Sequence, residues 1–153
     1  HLMGAAAFTA ATIALLPRAR GDWGRWLSLA VMALGTVGSL TLSGLYHAAW
    51  PGPWRDWLVR VDIAGIFFLV SARLTPVHMI LFQGTGRWWP LGLYWLGTTL
   101  GITWRMSYFE QVSGPYGIGI LMLFGWGTAL SAYAVGRRYG WRFVRPGVCG
   151  GLC

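Results

Sequence analysis

The feature that most constrains this fold is a succession of long apolar stretches separated by short polar turns. They occupy residues 2–16, 26–50, 57–82, 88–106 and 116–135, and another apolar stretch begins near residue 147. A helix needs about 20 apolar residues to cross the hydrocarbon core of a bilayer. Barrel strands are only about ten residues long and alternate in polarity, which these stretches do not. We therefore predict an all-α fold, a polytopic transmembrane helical bundle that forms one domain over residues 1–153.

The composition agrees with a membrane protein. Hydrophobic residues make up 56% of the chain and charged residues 10%, whereas soluble domains carry about 25% charged residues. The chain also contains 11 Trp, a residue that favours the boundary between lipid headgroups and hydrocarbon.

The positive charge lies mainly in the turns. The formal net charge is +8, and all 12 basic residues are Arg. A nucleic-acid-binding protein concentrates such charge on a soluble face, whereas arginines in short loops between apolar stretches anchor a protein to lipid headgroups. The sequence thus predicts membrane lipid as a partner and no nucleic acid. The loops after the first, third and fifth stretches carry the larger set of arginines: Arg18, Arg20, Arg25, Arg87, Arg137, Arg138, Arg142 and Arg145.

Three polar residues converge at one end of two neighbouring apolar stretches. Ser43 and His47 lie one helical turn apart near the end of the second stretch, so they share a helix face. A turn containing Pro51 and Pro53 folds the third stretch back, and Asp62 lies near the start of that stretch. Such a hairpin brings all three side chains to the same face of the membrane. Ionisable groups are costly to bury there, so we predict that Ser43, His47 and Asp62 form a functional site.

These three residues allow more than one kind of chemistry. His47 could bind a metal ion while Asp62 orients a water molecule, because zinc lowers the pKa of bound water to about 7. The same residues could act as a Ser-His-Asp triad, but a serine inside a regular helix has no free backbone amides beside it for an oxyanion hole. A purely structural alternative pairs Asp62 with Arg55 or Arg60. A catalytic zinc site needs three protein ligands, and this sequence supplies only His47 at this end of the bundle.

The other polar residues of interest are interpreted as structural. His78 follows Asp62 on the same stretch at a distance of about 24 Å along a helix, so we place it at the opposite membrane face as an interfacial residue. His1 lies at an unanchored end. Arg73 needs a carboxylate, carbonyl groups or water, and it could instead extend to the far interface together with His78. We expect Glu110 to be a solvated loop residue.

Several segments resemble the hemolysin III branch of the progestin and adiponectin receptor family. They are the Ser43-x-x-x-His47 pair and residues 58–66, 74–76 and 95–102. The resemblance extends from the first apolar stretch to the start of the sixth. It implies a bundle of seven helices, since members of this family are seven-helix membrane proteins grouped with the alkaline ceramidases. The chain differs from the family in two places. Ile63 stands where bacterial members often have His. Arg73 lies in the stretch before the Thr-Pro pair, where the family has a Gly-Thr-Tyr type of sequence.

The resemblance also implies a role for each site residue. His47 corresponds to the second-helix His that binds zinc, and Asp62 corresponds to the third-helix Asp that hydrogen-bonds the zinc-bound water. Ser43 is the serine of the same motif. In the family, two further His ligands come from a His-x-x-x-His motif in the seventh helix. We therefore expect the chain to be a fragment whose zinc site is completed by residues after Cys153.

These observations lead to one functional prediction and one alternative. We predict a hemolysin III-like integral protein of a bacterial-type plasma (inner) membrane that uses zinc to hydrolyse lipid amide or ester bonds. His47 would be the metal ligand, and Asp62 and Ser43 the catalytic residues. The alternative is a non-enzymatic protein that responds to membrane stress or lipid state, or that permeabilises membranes, in which zinc only braces the helices.

Overall fold

The described residues form helices joined by short turns. The computed structural model describes residues 1–112 and 114–145. Helix α1 (Leu2–Leu15) continues into a 3-10 turn at Leu16–Ala19, and it is followed by α2 (Trp23–Ala48), α3 (Pro53–Leu81), α4 (Thr85–Ser107), the short α5 (Phe109–Val112), α6 (Pro115–Trp126) and α7 (Thr128–Tyr139). Residues 141–145 are also helical. No strand occurs in these ranges, so the predicted all-α class is confirmed. The apolar stretch that begins near residue 147 lies outside the described residues.

Four helical segments are long and apolar enough to cross a membrane. They are Leu2–Ala19, Trp23–Ala48, Pro53–Leu81 and Pro115–Tyr139. Helix α4 has 23 residues, which corresponds to a length of about 35 Å, but its composition is less apolar than that of the four segments. The chain therefore has the length and hydropathy of an integral membrane protein.

The fifth apolar stretch contains a turn at Gly127 that separates α6 from α7, although Gly127 keeps helical dihedral angles. A Cβ atom at Gly127 would lie 2.9 Å from Tyr94 Oη on α4 and 3.3 Å from the backbone oxygen of Phe124. The close approach of α4 thus explains why a glycine occupies this junction.

Local sequence signals determine the hairpin of α2 and α3. Asp22 caps the N-terminus of α2, because its Oδ1 accepts a hydrogen bond of 3.0 Å from a backbone amide in the first turn. Helix α2 ends shortly before Pro51, since a residue that precedes a proline disfavours helical dihedral angles. Gly52 has a φ of +151°, which a residue with a Cβ rarely adopts. Pro53 then occupies the first position of α3, where its missing N–H has no helical partner to lose.

Helix α3 is the centre of the bundle. It contacts α2, α4, α6 and α7, whereas α1 packs on α2. Small residues allow the closest approaches: a Cβ atom at Gly35 of α2 would overlap the Cβ of Ala72 on α3. A Cβ atom at Gly101 of α4 would lie 2.6 Å from Cε1 of the buried Phe67 on α3. Packing of helices through small residues is typical of membrane bundles, in which dispersion contacts replace the hydrophobic effect.

Two buried hydroxyl groups join α3 to α4. Ser71 Oγ and Thr98 Oγ1 lie 2.6 Å apart. Ser71 Oγ also lies 3.0 Å from the backbone oxygen of Tyr94, and Thr98 Oγ1 lies 3.1 Å from that of Phe67. Each hydroxyl therefore has a partner on the opposite helix, and the pair fixes the register of α4 against α3.

The antiparallel course of the helices gives the bundle two distinct ends. His1, the end of α2, the start of α3 and the end of α4 lie at one end, which we call the site end. The opposite end carries the larger set of arginines defined above, and we call it the basic end. Tyr139 Oη donates a hydrogen bond of 2.6 Å to the backbone oxygen of Leu81, which places the end of α7 beside the end of α3 at the basic end.

Candidate functional site

Ser43, His47 and Asp62 all lie at the site end. His47 is the penultimate residue of α2, and Ser43 lies one turn earlier on the same helix. Asp62 lies within the first turns of α3, after the hairpin turn. The side chains of Ser43 and Asp62 are half-buried, whereas that of His47 is exposed. The hairpin thus presents one imidazole at its rim and one carboxylate deeper between the helices.

The carboxylate of Asp62 faces α2. Ser43 and His47 both lie near enough to interact electrostatically with this carboxylate. A carboxylate in an apolar helix needs such partners, because an isolated buried charge is strongly unfavourable. In the described part of the chain, the partners of Asp62 belong to α2.

The arginines nearest to Asp62 in sequence are engaged elsewhere. Arg60 forms a salt bridge of 2.9 Å with Glu110, and its guanidinium carbon lies 4.7 Å from the centre of the Phe109 ring. The guanidinium carbon of Arg55 lies 4.8 Å from the centre of the Tyr46 ring. The structural alternative, in which Arg55 or Arg60 neutralises Asp62, is therefore not the arrangement that the structure contains.

Glu110 is exposed and forms a salt bridge with Arg60. Its side chain is 76% exposed, and its Oε1 accepts the 2.9 Å hydrogen bond from Arg60. Sequence analysis predicted the exposure and missed the partner, since the two residues are separated by 50 positions. An exposed pair of this kind contributes little to stability.

His1 contacts the site, although sequence analysis placed it at an unanchored end. Its ring stacks on that of His47, with centroids 5.2 Å apart and ring planes 8° from parallel. The reason is the packing of α1 on α2: a Cβ atom at Gly44 would lie 2.7 Å from Leu2 Cδ2, so the start of α1 lies against the end of α2. The absence of a side chain at Gly44 is the only sequence signal for this contact.

The described residues do not by themselves form a metal-binding cluster. Within residues 1–112 and 114–145, no group of three or more His, Cys, Asp and Glu side chains could hold a metal ion. The stacked rings of His1 and His47 do not chelate an ion between them, because the nitrogen lone pairs lie in the two parallel ring planes. The chemistry of His47 and Asp62 fits one ligand and one adjacent carboxylate of a zinc centre, and further ligands would be needed to complete it.

His78 lies at the end of the bundle opposite to Asp62, as the sequence predicts, and it is buried between helices. It is 2% exposed. Its Nδ1 lies 3.1 Å from the backbone oxygen of Gly86, and its Nε2 lies 2.9 Å from Ser131 Oγ. A carbonyl oxygen can only accept, so Nδ1 carries the proton and Nε2 accepts the hydroxyl proton of Ser131. His78 thus joins α3 to the start of α4 and to α7.

Arg73 does not share the environment of His78. Its side chain is exposed, and five residues of helix rotate it about 140° away from His78. An exposed arginine in a helix this apolar can extend its charged end to the interface.

Comparison with known proteins identifies one family. A sequence model of the family described as haemolysin-III related matches residues 1–145. No curated protein and no solved structure matches the chain. The matched region contains Ser43, His47 and Asp62.

Proposed function

Because this chain belongs to the haemolysin-III related family, we propose that the intact protein is a zinc-dependent hydrolase of lipid amide or ester bonds in a bacterial-type inner membrane. The chain is a hemolysin III-like integral membrane protein. One observation carries the proposal. The carboxylate of Asp62 interacts electrostatically with Ser43 and His47 of α2, while the two nearby arginines have other partners.

Each of the three residues has a distinct role in this proposal. His47 would hold zinc through one ring nitrogen, together with ligands from residues beyond the described part of the chain. When bound, zinc supplies a Lewis acid that makes water acidic enough to ionise near neutral pH. Asp62 accepts the proton of the attacking water and returns it to the leaving group. Ser43 would donate a hydrogen bond to Asp62 and keep its carboxylate oriented towards the site.

The level of the site in the membrane supports a lipid substrate. The rim of the same hairpin carries three exposed tryptophans, Trp50, Trp54 and Trp57. The rings of Trp54 and Trp57 stack with centroids 5.3 Å apart. Exposed tryptophans at the end of membrane-spanning helices lie at headgroup level. The ester and amide bonds of lipids lie at that same level, beside His47.

The proposal can be tested with two carboxylate variants of the full-length protein. Asp62→Asn removes the proton acceptor and preserves the shape of the side chain. Glu110→Gln is the matched control, because Glu110 lies at the same end of the bundle and is exposed. Zinc content is measured by elemental mass spectrometry, and turnover is measured as fatty acid released from an acyl-labelled ceramide and an acyl-labelled phospholipid. Loss of the general base is expected to lower kcat by about 10²–10⁴-fold in Asp62→Asn, with zinc content unchanged, while Glu110→Gln retains full turnover.

Two results would contradict the proposal. One is an Asp62→Asn protein that hydrolyses both lipids as well as the parent. The other is leakage of a trapped dye from phospholipid vesicles that persists in Asp62→Asn and in His47→Ala, with no fatty acid released by any of the proteins. The second result would establish the permeabilising alternative.

A further inference from the structure

An apolar groove opens at the basic end, far from Ser43, His47 and Asp62. Helices α2 and α4 flank α3 there and leave a space of 420 Å³ between them. Its walls include Leu27 and Val31 of α2, Met79 of α3, and Trp88, Leu91 and Trp95 of α4. This volume lies within the range of about 300–1,000 Å³ that is typical of small-molecule sites.

The polar side chains of Ser28, Thr75 and Trp95 along the groove already have hydrogen-bond partners. Ser28 Oγ donates a hydrogen bond of 2.9 Å to the backbone oxygen of Arg25. Thr75 Oγ1 donates one of 2.8 Å to the backbone oxygen of Ser71, and it accepts one of 3.3 Å from Trp95 Nε1. A polar ligand would therefore form few hydrogen bonds inside the groove. An aliphatic chain needs no hydrogen bonds and would leave those of the groove intact. The interior favours an aliphatic occupant.

Two arginines neighbour lining residues of the groove in sequence, at the basic end of the bundle. Arg25 directly follows Gly24, a lining residue of α2, and Arg87 directly precedes Trp88. The side chain of Arg25 is exposed, and its 3.2 Å ion pair with Asp22 is exposed as well. Arg87 Nε donates a hydrogen bond of 3.0 Å to the backbone oxygen of Phe82, which holds its guanidinium at the end of α3. The apolar groove thus lies at the same end of the bundle as Arg87 and the ion pair of Arg25 with Asp22.

We propose that this groove binds one acyl chain of an anionic phospholipid, with the lipid phosphate held by Arg25 and Arg87. The arrangement matches both halves of such a lipid: aliphatic walls for the chain, and arginine at headgroup level for the anionic phosphate. The larger set of arginines at the same end adds a field that favours a lipid of net negative charge over a zwitterionic one.

The test uses two photoreactive lipids and the full-length protein in phosphatidylcholine nanodiscs. One lipid is a phosphatidylglycerol and the other a phosphatidylcholine, and both carry a diazirine on the same acyl chain. Labelled peptides are identified by mass spectrometry after irradiation. Gly92→Phe fills the groove, because Gly92 lines it and a Cβ atom there would meet nothing within 4 Å. Gly119→Phe is the matched control, since Gly119 lies on α6 and is equally open.

We expect the phosphatidylglycerol probe to label peptides of α2 and α4 at the basic end in the parent and in Gly119→Phe, and not in Gly92→Phe. Replacing Arg25 or Arg87 with Gln should lower this labelling about fivefold for each arginine, and labelling by the phosphatidylcholine probe should be weak throughout. The proposal fails if Gly92→Phe is labelled as strongly as Gly119→Phe. It also fails if the two probes label the groove equally. A third contradicting result is that a neighbouring protein segment protects the α2 and α4 peptides from both lipid probes.

Discussion

Asp62 on α3 and Ser43 on α2 lie near each other across the hairpin, so that the hydroxyl interacts with the carboxylate. A serine hydroxyl has one proton, and donating it to a carboxylate leaves none for a histidine. This arrangement favours a positioning role for Ser43 over a nucleophilic one.

The first prediction concerns Ser43. We expect Ser43→Ala to lower lipid hydrolysis about tenfold, because the lost hydrogen bond leaves Asp62 less well oriented. Ser28→Ala, on the same helix at the basic end, should leave hydrolysis unchanged. A nucleophilic Ser43 would instead give complete loss of turnover in Ser43→Ala, and the parent protein would accumulate an acyl group on that serine, which mass spectrometry of the intact protein detects.

The second prediction separates the two stacked histidines. His47→Ala should lower the zinc content of the purified full-length protein, whereas His1→Ala should leave it unchanged, because parallel rings do not direct their nitrogens to a common point. Elemental mass spectrometry gives the metal-to-protein ratio for both variants. Equal loss of zinc in the two variants would show that His1 is also a ligand, which this stacking geometry does not favour.

The sequence predicts features that depend on neighbouring residues. The lengths of the apolar stretches predict the helices, Pro51 and Pro53 predict the hairpin, and the spacing of Ser43 and His47 places them on one face. These features follow from local backbone geometry.

Features that depend on distant residues could not be predicted in this way. The burial of His78 involves Ser131, 53 positions later, and the lack of room for a side chain at Gly127 reflects the nearby Tyr94 on another helix. Neither contact leaves a periodic pattern in the sequence, because each is set by how the finished helices pack. The stacking of His1 on His47 has the same origin, since it depends on how α1 lies against α2.

The third prediction uses two glycines of α2. Gly35→Ala places a methyl group into Ala72 of α3, whereas a Cβ atom at Gly38 would meet nothing within 4 Å. The alanine is expected to destabilise the protein by about 1–3 kcal/mol at position 35, because α2 and α3 must separate. At position 38 it should be neutral or stabilising, by up to about 1 kcal/mol, because alanine favours helix more than glycine does. Unfolding of both variants in detergent, followed by circular dichroism, measures the difference, and equal stabilities would contradict the close packing of α2 on α3.

The last prediction concerns the buried link between α3 and α7. His78→Phe keeps an aromatic ring beside Phe82, on which His78 stacks with centroids 4.9 Å apart, but it removes the partners of the Gly86 oxygen and the Ser131 hydroxyl. We expect a loss of about 1–3 kcal/mol in the free energy of unfolding, because a buried polar group is left without a hydrogen bond.

Ser131→Ala breaks the same bond from the other side, so the double variant should lose less stability than the sum of the two single variants. Unfolding of the parent, the two single variants and the double variant in detergent gives the coupling energy between His78 and Ser131. Strictly additive losses of stability would contradict the hydrogen bond between them. Lipid hydrolysis should be unaffected in all four folded proteins, since His78 lies at the opposite end of α3 from Asp62, about 24 Å along the helix axis.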